Sequence, residues 1–337
     1  MRSTLMLLLS LVTMPMVMAQ TDRVYPKDGQ VQLGKIKSDS RNGIVLTVSG
    51  KDQTFAVGNI EKVMYQGDPA GMTNGREFAL NGQYESALEQ FKTVDVSKLS
   101  RAAIRSDLSY YLMYCQANLA LAGKGDLNAA AKAALSFASK NSDSWQFYPT
   151  AKLLGDLASA TGNFPKALQY YRSLASAPST ELKIESVLMT GVTNLRQEKL
   201  DDAVSQLQKV IGIKVSSPEA LRLQTLAKAS LAVAMAKQGK GDEGLTMVKD
   251  LITELNPTDT EMAAEIYNAQ GASYEALGDD EGALLAYLHT HLMFSTHAQA
   301  HSHALKRLTE LWTNVGKPDR AAQARAELQQ RYPGLGS

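Results

Sequence analysis

A single cysteine, Cys115, stands in a chain of 337 residues. One thiol cannot close an internal disulfide, and it cannot supply a cysteine-rich metal site. An excess of one charge is also missing, with 35 Lys and Arg against 34 Asp and Glu. Nothing in that balance favours a polyanion, so no nucleic-acid partner is expected. Aromatics make up only 7% of the chain. Ala and Leu are abundant instead, the composition of close-packed helices that need small residues where they cross. Catalytic signatures are lacking as well: there is no H-E-x-x-H, no G-x-S-x-G, no phosphate loop and no dinucleotide fingerprint. Gly123-Lys124-Gly125-Asp126 and Gly239-Lys240-Gly241-Asp242 are glycine-rich, but each falls in a turn between helices and follows no strand. The chain reads as a binding protein and not as an enzyme.

Long apolar runs are absent except at the start. Leu5–Met18 follows Arg2 and is interrupted by Thr13 and Pro15. Its 14 residues fall short of the roughly 20 needed to span a bilayer. Val17-Met18-Ala19 offers tolerated residues at the −3 and −1 positions of a cleavage site. Residues 1–19 therefore read as a secretory signal peptide cut before Gln20. The expectation is an exported protein of the periplasm or cell envelope, with no stable membrane insertion after cleavage. Cys115 suits that compartment if it is buried and inert.

Residues 22–66 differ from the rest in composition. Val, Ile, Thr and Gly alternate with charge, and short strands are predicted over Gln30–Lys37, Gly43–Val48, Gln53–Val57 and Ile60–Tyr65. Four or five strands in so short a stretch suggest a small barrel, with Gly34 marking a bulge. The runs D-G-Q-V-Q-L-G-K-I, G-I-V-L-T-V and I-E-K-V-M-Y resemble an Sm-like or SH3-like barrel. Some barrels of that shape bind RNA. This module has seven basic and six acidic residues between Asp22 and Asp68 and few aromatics near Lys35, Lys37 and Arg41. RNA binding needs basic charge and stacking rings, so a structural or adhesive cap is the better reading. Residues 67–72, with Gly67, Pro69 and Gly71, read as a linker.

Residues 73–337 carry repeats, clearest in Glu265–Tyr287. Tyr267, Gln270, Gly271 and Tyr274 fall at i, i+3, i+4 and i+7 on one helix stripe. Gly278 breaks that helix, Asp279 or Asp280 caps the next, and Ala283 and Tyr287 sit four apart on it. This unit resembles a tetratricopeptide repeat. Turn positions recur at Gly82, Gly125, Gly162, Glu198, Gly239, Gly278 and Gly316, in steps of 36 to 43 residues. The unit around Leu108–Phe137 matches worst, because its A-A-A-K-A-A run allows several registers. The resemblance implies a mainly α fold: a right-handed tetratricopeptide-type α-solenoid of about seven helix hairpins, preceded by the small all-β module. It further implies that the first helix of each hairpin lines a concave groove holding a protein or peptide partner.

Several residues are candidates for function. All five histidines lie between His289 and His303. His297 and His301 are four apart, so on one helix they share a face and, with His303, form the candidate zinc ligands. A solvated junction between two units is the competing reading, since no Asp, Glu or Cys lies inside that stretch. No other cofactor is expected. Lys152 and Asp156, four apart, are the nearest match to the Lys and Asn with which some tetratricopeptide proteins clamp a terminal carboxylate, although an acid replaces the amide. Asn268 and Glu275 are less patterned residues of the clearest unit and are candidate partner contacts. Tyr110, Tyr111, Tyr114, Trp145, Phe147 and Tyr148 form an aromatic zone expected to be mostly core.

Overall fold

The computed structural model describes residues 21–334; the signal-peptide reading of residues 1–19 lies outside them. The described residues begin with a five-stranded antiparallel sheet, β1 (Asp22–Pro26), β2 (Gln32–Ser40), β3 (Gly43–Val48), β4 (Lys51–Ala56) and β5 (Ile60–Met64), in the order β4-β3-β2-β1-β5. A 3-10 turn, Val57–Asn59, links the two edge strands. β1 is absent from the strands expected from sequence, yet it lies inside the sheet between β2 and β5. The bulge in β2 falls between Ile36 and Ser38, not at Gly34. Gly34 serves a different need: a Cβ there would lie 2.3 Å from the Thr47 carbonyl oxygen.

Fourteen helices follow in seven hairpins. They are α1 (Ala70–Leu80) with α2 (Tyr84–Lys92), α3 (Ala102–Leu121) with α4 (Leu127–Lys140), and α5 (Phe147–Ala160) with α6 (Phe164–Ser173). Next come α7 (Thr180–Arg196) with α8 (Leu200–Gly212), and α9 (Pro218–Lys237) with α10 (Gly241–Thr253). Last are α11 (Thr260–Ala276) with α12 (Asp280–Met293), and α13 (Ala298–Asn314) with α14 (Pro318–Arg331). α1 starts inside the stretch read as linker. Among the described residues no helix is long and apolar enough to cross a membrane.

One device closes every hairpin. A residue in the left-handed region ends the first helix, and the next N–H donates to the carbonyl five residues back, at 2.8–3.0 Å. Six hairpins use glycine there; the fourth uses Glu198, at φ 59°. In the second hairpin the turn residue is Gly123, with φ 75°, and not Gly125. Lys124 and Gly125 are extra residues before the Asp126 cap of α4. That insertion is why the unit fits the repeat pattern poorly.

Within a hairpin the two helices meet where a small residue faces a large one sixteen positions on. A Cβ on Gly75, Gly155 or Gly271 would lie 2.3, 2.3 or 2.6 Å from the ring of Phe91, Tyr171 or Tyr287. Each hairpin is then tied to the next. Arg196 donates to Ser159, Ser217 to Glu181, Lys237 to Glu198, Arg222 to Asp259, and Asn268 to Ala300. First helices also pack on one another (α1 with α3, α3 with α5, α7 with α9, α9 with α11, α11 with α13), and successive second helices do not do so to a comparable extent. The first helices therefore lie on the inside of the curve and the second helices on the outside.

The β module is fused to the start of this array. Val24, Ile44, Leu46, Val63 and Tyr65 share one core with Met72, Phe91, Ile104 and Tyr111. Around its rim the Asp22 carboxylate accepts from the Ile36 and Gln66 amides and pairs with Arg101 at 2.5 Å. Asp39 accepts from the Trp145 amide at 3.0 Å, and Arg41 donates to the Ser142 carbonyl and lies 4.4 Å from the Phe147 ring centre. The aromatic zone thus serves as core and as docking surface. Beneath it Arg76, fully buried, pairs with Asp68 and Asp107, each at 2.6 Å, while Gln146 donates to the second oxygen of Asp107.

The array curls far enough to meet itself. The Gly334 amide donates to the Gly123 carbonyl at 2.7 Å, joining the end of the seventh hairpin to the turn of the second. Burial and Tyr114 raise the Tyr84 phenol above its usual pKa, and the Glu261 carboxylate of α11 adds to that shift.

Candidate functional site: a lumen and a histidine centre

The inner face of the curl is polar. Lys152 on α5 pairs with Asp156 at 2.9 Å and lies 3.9 Å from Glu185 on α7. The Tyr171 hydroxyl donates to the other oxygen of Asp156 at 2.8 Å. Asp156, with burial opposing it and Glu185 adding to it, holds Lys152 above the usual lysine value. Lys152 is thus a fixed positive charge, and Asp156 is occupied by two partners of its own chain. Glu265 on α11 and His303 on α13 are exposed to solvent, although protein atoms crowd the space around both. That crowding, reinforced by Glu261, pushes Glu265 above the usual carboxylate value. It also pushes His303 down to about 4, with Arg307 adding to the effect.

Two candidates from α11 are engaged by residues of the seventh hairpin. Asn268 is buried and its side-chain amide donates to the Ala300 carbonyl at 3.0 Å. Its Oδ1 has no hydrogen-bond partner among the described residues. Glu275 is held by Arg307, which also pairs with Glu310. Both residues join the sixth hairpin to the seventh.

The histidines separate into different environments. His297 is the residue before α13, and its Nε2 meets the Thr260 hydroxyl at 2.8 Å. Because it is not part of the helix, the four-residue spacing does not align it with His301. His303 points to the other side and meets the Tyr287 ring edge-on at 5.8 Å. His289 stacks on Tyr267 at 3.8 Å. The set His297, His301 and His303 is therefore not brought together. His301 instead meets His291, whose Nδ1 lies 2.8 Å from the His301 Nε2. The two rings are within 6° of parallel. The Tyr332 hydroxyl lies 2.7 Å from the His301 Nδ1, and Glu327 of α14 approaches both rings at 3.8 and 3.9 Å. Burial, then Arg331 and His291, push His301 down to about 4. Sequence spacing could not reveal this group, because Glu327 and Tyr332 follow only after the turn into α14, Tyr332 31 residues beyond His301.

Elsewhere the chemistry is quiet. Cys115 is fully buried, and burial pushes its thiol up to about 12. A groove of about 910 Å³ opens on the outer side between α8 and α10, with Ile211 and Met247 on its walls and Asp242 and Glu254 at its rim.

The architecture has solved counterparts. A tetratricopeptide repeat protein from Parabacteroides merdae matches with a TM-score of 0.50 and 18% identity, over 77% of this chain and 91% of its own. The fold is that of a tetratricopeptide-repeat solenoid. A Rap protein complexed with Competence and Sporulation Factor matches with a TM-score of 0.54 and 13% identity, over 79% of this chain and 76% of its own. No protein-family profile and no curated protein match the sequence. At these identities the likeness establishes the fold alone. The tetratricopeptide solenoid accounts for the hairpin turns, the small-to-large packing and the inward first helices.

Proposed function

We propose that this chain is a non-enzymatic scaffold that holds a segment of another protein in the lumen of its tetratricopeptide solenoid. The observation that carries this reading is the lumen's inner wall. Lys152 and Glu185 meet between the first helices α5 and α7, Glu265 and His303 are exposed on the first helices α11 and α13, and the Gly334–Gly123 bond draws the end of the array back to its second hairpin. Charged groups crowded together there keep part of their hydration, and a partner that supplies hydrogen bonds and opposite charges would replace it. The Rap protein, solved with Competence and Sporulation Factor, supports the reading by analogy of fold. Export follows from the signal-peptide reading, and places the partner in the periplasm or cell envelope.

The test is capture of partners from envelope extract by the full chain, followed by affinity measurement on the identified segment. Charge reversal at Glu185 or Glu265 is expected to weaken binding at least tenfold. Leu285→Ser on the outer face, where Leu285 is 71% exposed, is expected to leave it unchanged. Binding that survives removal of the hairpins, or that responds only to the outer substitution, would sink the proposal. Export is tested separately, by sequencing the N-terminus of the protein recovered from the envelope.

A further inference from the structure

The structure assigns a site for a divalent cation of the zinc class to His291, His301 and Glu327, at the C-terminal end of the solenoid. One donor atom from each of the three lies within 4.8 Å of the others. The residues come from three successive helices, α12, α13 and α14, so the group is a product of the fold and not of local sequence. Two imidazoles and a carboxylate are a donor set suited to zinc and its borderline neighbours. In a tetrahedral zinc site with bonds near 2.0–2.1 Å, donor atoms stand roughly 3.3 Å apart. The two ring nitrogens at 2.8 Å must open by about half an ångström. The Glu327 Oε1, 3.9 Å from the His301 Nε2, must close by a similar amount, while its Oε2 lies 3.8 Å from the other His291 nitrogen, Nε2.

The surroundings already orient the donors. The Tyr332 hydroxyl engages the His301 Nδ1 at 2.7 Å and leaves Nε2 directed at His291. A hydroxyl can donate or accept, so it tolerates the tautomer in which Nδ1 carries the hydrogen and Nε2 is free to ligate. Arg331 holds the Glu327 Oε1 at 3.1 Å, leaving Oε2 toward His291. His301 is fully buried and His291 is 21% exposed, so the site has an inner wall and an open side. The hydrogen now shared between the two ring nitrogens occupies the place the cation would take. Three protein donors leave a fourth position for water or for a donor from a partner. Arg331 is an opposing charge beside His301, and it limits affinity.

The experiment uses the untagged chain, stripped with chelator and titrated with zinc chloride at neutral pH by calorimetry and native mass spectrometry. One zinc per chain is expected, together with visible absorption bands on cobalt substitution. His291→Ala and Glu327→Gln should each weaken binding at least tenfold. His297→Ala and His303→Ala should leave it unchanged, and Arg331→Gln should strengthen it. His291 and Glu327 are partly exposed, so those variants fold even if His301→Ala does not. No heat above buffer in the native chain would mean a purely structural Tyr–His–His chain and would overturn the assignment. So would zinc binding that persists in His291→Ala or disappears in His297→Ala.

Discussion

Arg76 is the residue on which the first hairpin depends. Its charge is wholly buried and is matched by Asp68 and Asp107, which are nearly as buried. Removing one partner strands a charge in a medium that solvates it poorly. Asp107→Ala is therefore expected to lower stability by about 3–5 kcal/mol, read from urea unfolding. Asp107→Asn, which keeps an acceptor, should cost less. Asp22 plays the matching part for the β module. Burial alone would raise its pKa, but the bond from Arg101 and the amides of Ile36 and Gln66 outweigh it and hold the group below the usual value of 3.8. Above 3.8 the carboxylate is ionised in both the folded and the unfolded chain, and the stabilisation is fully present. As pH falls below 3.8 the unfolded chain takes up the proton first, and the stabilisation is lost as pH passes the folded value. Asp22→Asn should flatten that part of the acid limb in unfolding curves taken at successive pH values.

At the scale of the helix hairpin, two rules repeat along the chain: a left-handed residue at the turn and a small residue opposite a large one. Gly155→Ala tests the second. Helix propensity alone would favour Ala by about 1 kcal/mol. The added carbon would sit 2.3 Å from the Tyr171 ring, whose hydroxyl is anchored to Asp156. A net loss of about 1–2 kcal/mol is expected, because the ring cannot move without giving up that bond. Glu198→Gly tests the first rule in the opposite direction. A side chain at φ 59° carries a strain of about 1–2 kcal/mol that glycine lacks. The exposed pair with Lys237 contributes less than that. The variant should unfold at higher urea than the native chain.

These rules are also what made the fold legible. The turn residue, the small residue and its large partner lie within one hairpin, so they keep their spacing in sequence. The second hairpin was placed by Gly125 and not Gly123 because its turn is two residues longer. β1 escaped notice because Asp22–Pro26 offers only Val24 as a fully buried apolar residue, and its neighbours β2 and β5 are both needed to explain it. The candidate site was less legible still. Lys152 and Asp156 read as neighbours on one helix and are so, but Glu185 joins them from the next hairpin. His301 was named from spacing with His297, while its real companions arrive from α12, α14 and the segment after α14. Contacts made across hairpins leave no periodic trace.

For the whole molecule, the β module braces the start of the solenoid, and a single seam joins its end to the second hairpin. A repeat array is ordinarily coupled only between neighbours, so that stability builds up additively along the chain. The bond from Gly334 to Gly123 breaks that rule. A side chain at 334 would crowd the Gly123 carbonyl, since a Cβ there would lie 2.9 Å from its oxygen. Gly334→Leu is therefore expected to part the seam while leaving each hairpin folded. The check is faster amide exchange in α13 and α14 with an unchanged helical signal in circular dichroism.

That seam also bears on kinetics. One neutral hydrogen bond contributes only about 1 kcal/mol, so a closure of this kind works as a clasp that opens and shuts many times before the hairpins unfold. A guest chain then has no need to thread through an end of the lumen. The guest proposed above would enter sideways during an opening, and its association rate would carry the open fraction as a multiplying factor. Whatever loosens the last two residues of the clasp would quicken entry and shorten residence together, with no change in any group that touches the guest.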